Sequence, residues 1–286
     1  MANPRPQRDD WIDPGDAAPR RRSRLECLPM AKQSRRGDDG SVDDRVRQIL
    51  ATLERRGTKR NREGMARYAI IAPKAFGVSV ATIRDMGKRT GRSHELAEAL
   101  WKTGWYEARM LAPFVDEPAR VTPAQMDRWA RDFDNWAICD ALCFHLFDRT
   151  PHAWRKIEQW SGRRGEFVKR AAFALLASVA LHDRTTPNAP FLGALPLIER
   201  AAVDDRNFVK KGVSWALRGV GRRNPELNAA AIAVARRLAA AAEPSARWIG
   251  KDALRELTRA PVGSKHRGVM SASVTPPPAR RPDRSA

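Results

Sequence analysis

The sequence predicts an all-α protein, a solenoid of stacked helical hairpins with a basic groove, and three observations predict it. Between about residues 42 and 258, apolar residues recur at three- and four-residue spacing, the period of helices with one buried face. Pro, Gly, Asn and Asp interrupt this pattern about every dozen residues, so both the helices and their connections are short. Nowhere do Val and Ile alternate with polar residues over a strand's length, so no strand is expected.

In chain order, helices are expected at roughly 42–56, 63–72, 79–90, 93–102, 105–112, 122–132, 134–147, 151–160, 165–182, 190–203, 207–222, 225–242 and 245–258. Start signals support several of them: Ser79 before VATIRDM, Thr122-Pro123 before AQMDRWA and Asn224-Pro225 before ELNAAAIAVA. Rods this short do not suit a four-helix bundle; they suit hairpins stacked in a row. The helices beginning near Glu166 and Asn207 lie about forty residues apart, close to the period of HEAT repeats. Both open on Phe-Val-Lys followed by a basic and then a small residue, in FVKRAAFALLASVAL and FVKKGVSWALRGVG. The expected architecture is therefore a HEAT-like α-α superhelix whose curved groove is lined by alternate helices.

Residues 1–40 and 263–286 mix Pro, Gly, Ser and charge without period and are expected to be disordered, the second as a basic Pro-rich tail. Residues 41–262 form the expected folded domain. The chain carries 53 Lys and Arg against 33 Asp and Glu, net +20. The two tails hold only +2 and +4 of this, so the folded part keeps +14. A basic folded domain points to a polyanion, and to DNA ahead of an acidic peptide held in a helical-repeat adaptor.

Other chemistries find little support. Cys27, Cys139 and Cys143 show no CxxC spacing, and the five histidines form no metal-spaced cluster, so no metal and no cofactor are expected. His145, on an apolar helix, reads as a structural histidine. Absence of a strand removes a Gly-rich phosphate loop. No apolar run is long enough to span a membrane, and the N-terminus is charged where a signal peptide would be apolar, so a cytoplasmic, reducing location is expected.

The segment RWARDFDNWAICDALCFHLF around residues 129–147 is the most unusual in the chain. It places Trp136 and Asp140 at i, i+4, an aromatic face and a carboxylate one turn apart on one helix surface. Composition alone favours a half-buried Trp beside an interhelical salt bridge. Arg170 and Trp215 fall on corresponding helices of consecutive repeats. Trp215 has Lys210, Lys211 and Arg218 at helical spacing, an aromatic interleaved with cations that suits a nucleic-acid face, although a core tryptophan with solvated neighbours fits equally.

Four blocks, MARYAIIAPKAFGVSVATIR, DNWAICD, VKRAAFALLA and KKGVSWALRGVGRRNPE, resemble in order and spacing those of the AlkD-like DNA alkylation repair glycosylases. The resemblance spans about residues 42–258. It implies a HEAT-like fold and hydrolysis of the N-glycosidic bond of cationic alkylated purines such as 3-methyladenine and 7-methylguanine, without a metal and without obligatory base flipping. It also implies roles: Asp140 as the catalytic carboxylate, Trp136 and Trp215 as the active-site tryptophans, Arg170 as the nearby arginine and Tyr68 as the N-terminal aromatic. Lys169, Arg170, Lys210, Lys211, Arg218, Arg222 and Arg223 would hold phosphates. The implied partner is double-stranded DNA containing alkylated bases, bound by a monomer associated with the nucleoid. The residue after the first Trp is often acidic in this family, and here it is Ala137. Because a fold does not fix an activity, a non-catalytic HEAT-like module for damaged or branched DNA is the alternative.

Overall fold

The computed structural model describes residues 41–259, so the readings for the two tails lie outside the described residues. Within that span lie α1 (Val42–Arg56), α2 (Lys59–Met65), α3 (Val80–Thr90), α4 (His94–Lys102), α5 (Tyr106–Val115), α6 (Pro123–Arg131) and α7 (Trp136–His145). They are followed by α8 (Ala153–Ser161), α9 (Glu166–His182), α10 (Asn188–Ala201), α11 (Asn207–Gly221), α12 (Pro225–Ala239) and α13 (Pro244–Leu257). Two 3-10 turns, Ala66–Tyr68 and Phe147–Arg149, complete the described elements, and no strand occurs among them.

The caps read from sequence form. Thr122 Oγ1 accepts from the Gln125 N–H while the Gln125 side chain reaches back to the Thr122 N–H, a reciprocal capping box closed by Pro123. Ser79 accepts from the Thr82 N–H and Asn224 from the Leu227 N–H.

One expected helix is corrected. Over 63–72 the sequence suggests a continuous helix; the chain instead runs as α2 and a 3-10 turn that end at Ala69, whose φ of 55° is left-handed. Thr58 starts α2 early by accepting from the Asn61 N–H. Pro73 then disfavours helix in the residue before it, and the chain continues as a loop to Ser79.

The helices pack in two layers. Helices α3, α5, α7, α9, α11 and α13 lie side by side in that order, each touching the next. Helices α4, α8, α10 and α12 back them, and α1 packs on α4 and α5. The central helix α9 is flanked by α7 and α11 and backed by α8, and its residues from Arg170 to Ala180 are all buried. That position explains its run of Ala, Leu, Phe and Val with no polar face: a helix covered on all sides has no use for one. Outer members of the stack show the ordinary one-sided pattern.

Candidate active site

The site begins at the first residue of α7. Asn135 caps that helix through its side chain, accepting from the Ile138 N–H at 3.1 Å, which sets where Trp136 leaves the backbone. The Trp136 indole Nε1–H donates to the Tyr68 carbonyl at 2.8 Å. Tyr68 closes the 3-10 turn before the 69–79 loop, so two expected aromatics from distant parts of the chain meet.

A residue the sequence reading passed over holds that loop in place. Glu107, fully buried on α5, accepts from the backbone N–H groups of Phe76 at 3.0 Å, Gly77 at 2.7 Å and Val78 at 3.2 Å. The Tyr106 N–H donates to the Lys74 carbonyl at 2.9 Å, and Phe76 stacks on Trp105 at 3.9 Å. A carboxylate buried with three backbone donors is well satisfied and fixes the loop from below. Its only sequence signal is a charge among the apolar residues of YEARMLAPFV.

One turn after Trp136, Asp140 meets Arg170 on α9. Arg170 Nε donates to Asp140 Oδ1 at 2.8 Å and Nη2 to Oδ2 at 2.6 Å, while Nη1 donates to the Phe208 carbonyl at 2.8 Å. Both residues are buried, at 9% and 7% exposure. Burial pulls the Arg170 pKa down, but the adjoining Asp140 charge and hydrogen bonds outweigh it and the net shift is upward. This two-point pairing fixes the orientation of the carboxylate as well as its charge. Packing under it is tight: Cys139 and Cys143 thiols donate to the Phe167 and Ala171 carbonyls, both at 3.5 Å, seating α7 on α9.

Trp215 stands half-buried on α11, the next helix of the same layer, packed against the core. On the same helix, burial, then Arg170 and Lys210, pull the Lys211 ammonium below the ordinary lysine value. Lys210 Nζ lies 5.0 Å from the ring centre of Trp248 on α13.

The remaining expected phosphate ligands are placed differently. Arg170 engages Asp140 and Phe208 with all three of its nitrogens, because it is buried between helices where a partner is obligatory. Lys169 pairs with Asp204 at 2.9 Å. Arg218 pairs with Glu256 at 2.8 Å and Arg222 with the same carboxylate. Arg223 caps chain ends, donating to the carbonyls of Ala180, Asp183 and Thr186, and its guanidinium lies 4.0 Å over Phe191. Arg218, Arg222 and Arg223 thus tie the ends of α9, α11 and α13 together.

His145, at the end of α7, is held neutral: burial, then Arg149, His182 and Arg84, lower its pKa to about 4. Among the described residues no group of three or more His, Cys, Asp and Glu side chains is placed to hold a metal ion, and no helix is long and apolar enough to cross a membrane.

The geometry supplies an oriented carboxylate, an aromatic one turn away on the same helix, a second aromatic two helices along the layer, and lysines beside them. Comparison with solved structures finds one described as "a new family of proteins related to the HEAT-like repeat DNA glycosylases with affinity for branched DNA structures". Its TM-score is 0.60 at 18% identity, over 67% of this chain and 82% of that one, so the two share a HEAT-like fold. No curated protein matches the sequence. The family described as DNA alkylation repair enzyme matches residues 49–257, the span holding every helix from α2 to α13 and all of the site residues above, and the chain belongs to that family.

Proposed function

We propose that the protein is a monofunctional DNA glycosylase that hydrolyses the N-glycosidic bond of cationic alkylated purines, of the 3-methyladenine and 7-methylguanine type, in duplex DNA. The observation that carries this reading is the Asp140–Arg170 pair, an oriented carboxylate one helical turn from Trp136.

Alkylation at N3 or N7 puts a positive charge on the base and makes it a good leaving group. A general acid is then unnecessary; the barrier lies in the deoxyribose, which becomes an oxocarbenium ion as the bond to the base breaks. Asp140, its side chain still 12% exposed, stabilises that cation and orients the water that adds to the sugar carbon. Arg170 is a positioning residue: it holds both carboxylate oxygens so that the charge is in place before the reaction begins. Trp136 and Trp215 pack on the sugar and the lesion, where their π faces favour cationic character. Lys211 holds a phosphate beside the lesion. This chemistry needs no base turned out into a pocket and no metal, and one chain suffices to bind one duplex.

The test is release of 7-methylguanine from a defined duplex by the wild type and by Asp140→Asn. A second reading has its own support. Arg170 already compensates the Asp140 charge, as in a purely structural ion pair, and the similar structure is described as having affinity for branched DNA. Binding of duplex or branched DNA without release of either alkylpurine would favour that non-catalytic module.

A further inference from the structure

Among the described residues several buried or half-buried cations have acidic partners: Lys156 with Asp127, Lys169 and Arg206 with Asp204, Arg218 and Arg222 with Glu256. Half-buried Lys210 and exposed Lys251 make no ion pair among the described residues. Both flank one aromatic side chain. Trp248 on α13 is 39% exposed, the one aromatic among the large exposed hydrophobics, the others being Ile71 and Val203. Lys210 lies over its ring at 5.0 Å, and exposed Lys251 follows one turn later on the same helix face. An indole flanked by uncompensated lysines is the composition of a surface that receives a sugar-phosphate strand, the ring packing on the sugar and the ammonium groups meeting the phosphates.

We propose that Trp248, Lys210 and Lys251 form a second DNA contact, separate from the Asp140 site, which seats the backbone of one duplex arm away from the lesion. The proposal rests on the reading of the protein as DNA-binding but not on its catalysing excision. Its position follows from the layer. From α7 to α13 there are three steps between neighbouring helices of roughly 9 Å each, about 27 Å in all. At about 3.4 Å per base pair this is roughly eight base pairs from the lesion on one side only.

The experiment measures binding of the full chain to 7-methylguanine duplexes, with each arm shortened in turn from about twelve to about three base pairs and undamaged duplexes of the same lengths as the reference. Trp248→Ala should weaken binding by about tenfold on long duplexes, Trp248→Phe by much less, and the effect should vanish when one arm, and not the other, is short. Lys251→Gln should lower the slope of log affinity against log salt by about 0.9 with the long arm and leave it unchanged with the short one. Because Lys251 is exposed, that variant reads the proposal even if Trp248→Ala fails to fold. Unchanged affinity in Trp248→Ala and Lys251→Gln, or an equal loss whatever the arm lengths, would overturn it. Loss of excision in Asp140→Asn bears on the catalytic reading alone, since arm-length dependence is read as binding affinity on the 7-methylguanine duplexes and not as release of the base.

Discussion

Arg170 on α9 and Asp140 on α7 form a two-point ion pair across neighbouring helices, at 2.8 and 2.6 Å, in surroundings that leave each less than a tenth exposed. Breaking such a pair from one side leaves the other charge buried without compensation, at a cost of about 3–5 kcal/mol. Arg170→Ala should therefore lower the urea midpoint strongly, whereas Arg170→Met combined with Asp140→Leu should recover much of the loss. Arg170→Lys keeps the charge but not the fork, so it should retain more stability than activity. If Arg170→Ala is as stable as the wild type in urea, the pair is not the constraint described here.

Glu107 offers a prediction remote from the chemistry. Its carboxylate takes three backbone N–H groups of the loop that follows Tyr68. Glu107→Gln removes one acceptor oxygen and leaves buried donors unsatisfied, about 1–3 kcal/mol. Amide exchange at Phe76, Gly77 and Val78 should accelerate while amides inside α9 stay protected. Uniform acceleration through the whole chain would mean that the loop has no separate stability.

His145 sets a pH dependence. Its pKa of about 4 in the folded protein lies below the ordinary histidine value, so between these two pH values the unfolded chain binds the extra proton. Stability contributed by neutral His145 is thus present above about pH 6.5 and is lost as pH falls towards 4, by up to about 3 kcal/mol. In His145→Phe that part of the acid loss should disappear from chemical-denaturation curves between pH 4 and 6.5. An identical pH profile in the variant would contradict the assignment.

Charge counting and charge placement should separate in DNA binding. Lys211→Gln should weaken duplex binding and reduce the log-log salt slope by about 0.9, since its ammonium has no acidic partner to lose. Arg223→Gln, which strips the carbonyls of Ala180, Asp183 and Thr186 of their donor, should lower thermal stability and leave the slope nearly unchanged. The reverse pattern would return Arg223 to the phosphate ligands.

What the sequence made legible follows from the range of the forces involved. Caps at Ser79, Thr122 and Asn224 act over three residues and an apolar stripe acts over a turn, so helix positions could be read locally. The end of α2 could not, because the loop after it is held by Glu107, about thirty residues later. Trp136 and Asp140 share one helix and were visible as a pair. The excess of arginine was equally visible, but its allocation was not: Arg170 finds its carboxylate 30 residues away and Arg223 its first carbonyl 43 residues away. Arg170 and Arg223 thus have partners inside the fold that a linear reading does not reveal, whereas Lys210 and Lys211 were legible beside Trp215 and only Lys251 was found by its place beside Trp248.

The central claim is that the Asp140 carboxylate acts at the chemical step, and single-turnover release of 7-methylguanine from a defined duplex tests it most directly. Wild type and Asp140→Asn are compared at saturating protein, with affinity for the same duplex and thermal stability measured alongside, because Asn leaves Arg170 with a neutral partner. The account predicts release by the wild type and a loss of at least about a hundredfold in the folded variant, with binding retained. Equal release by the two proteins would contradict it.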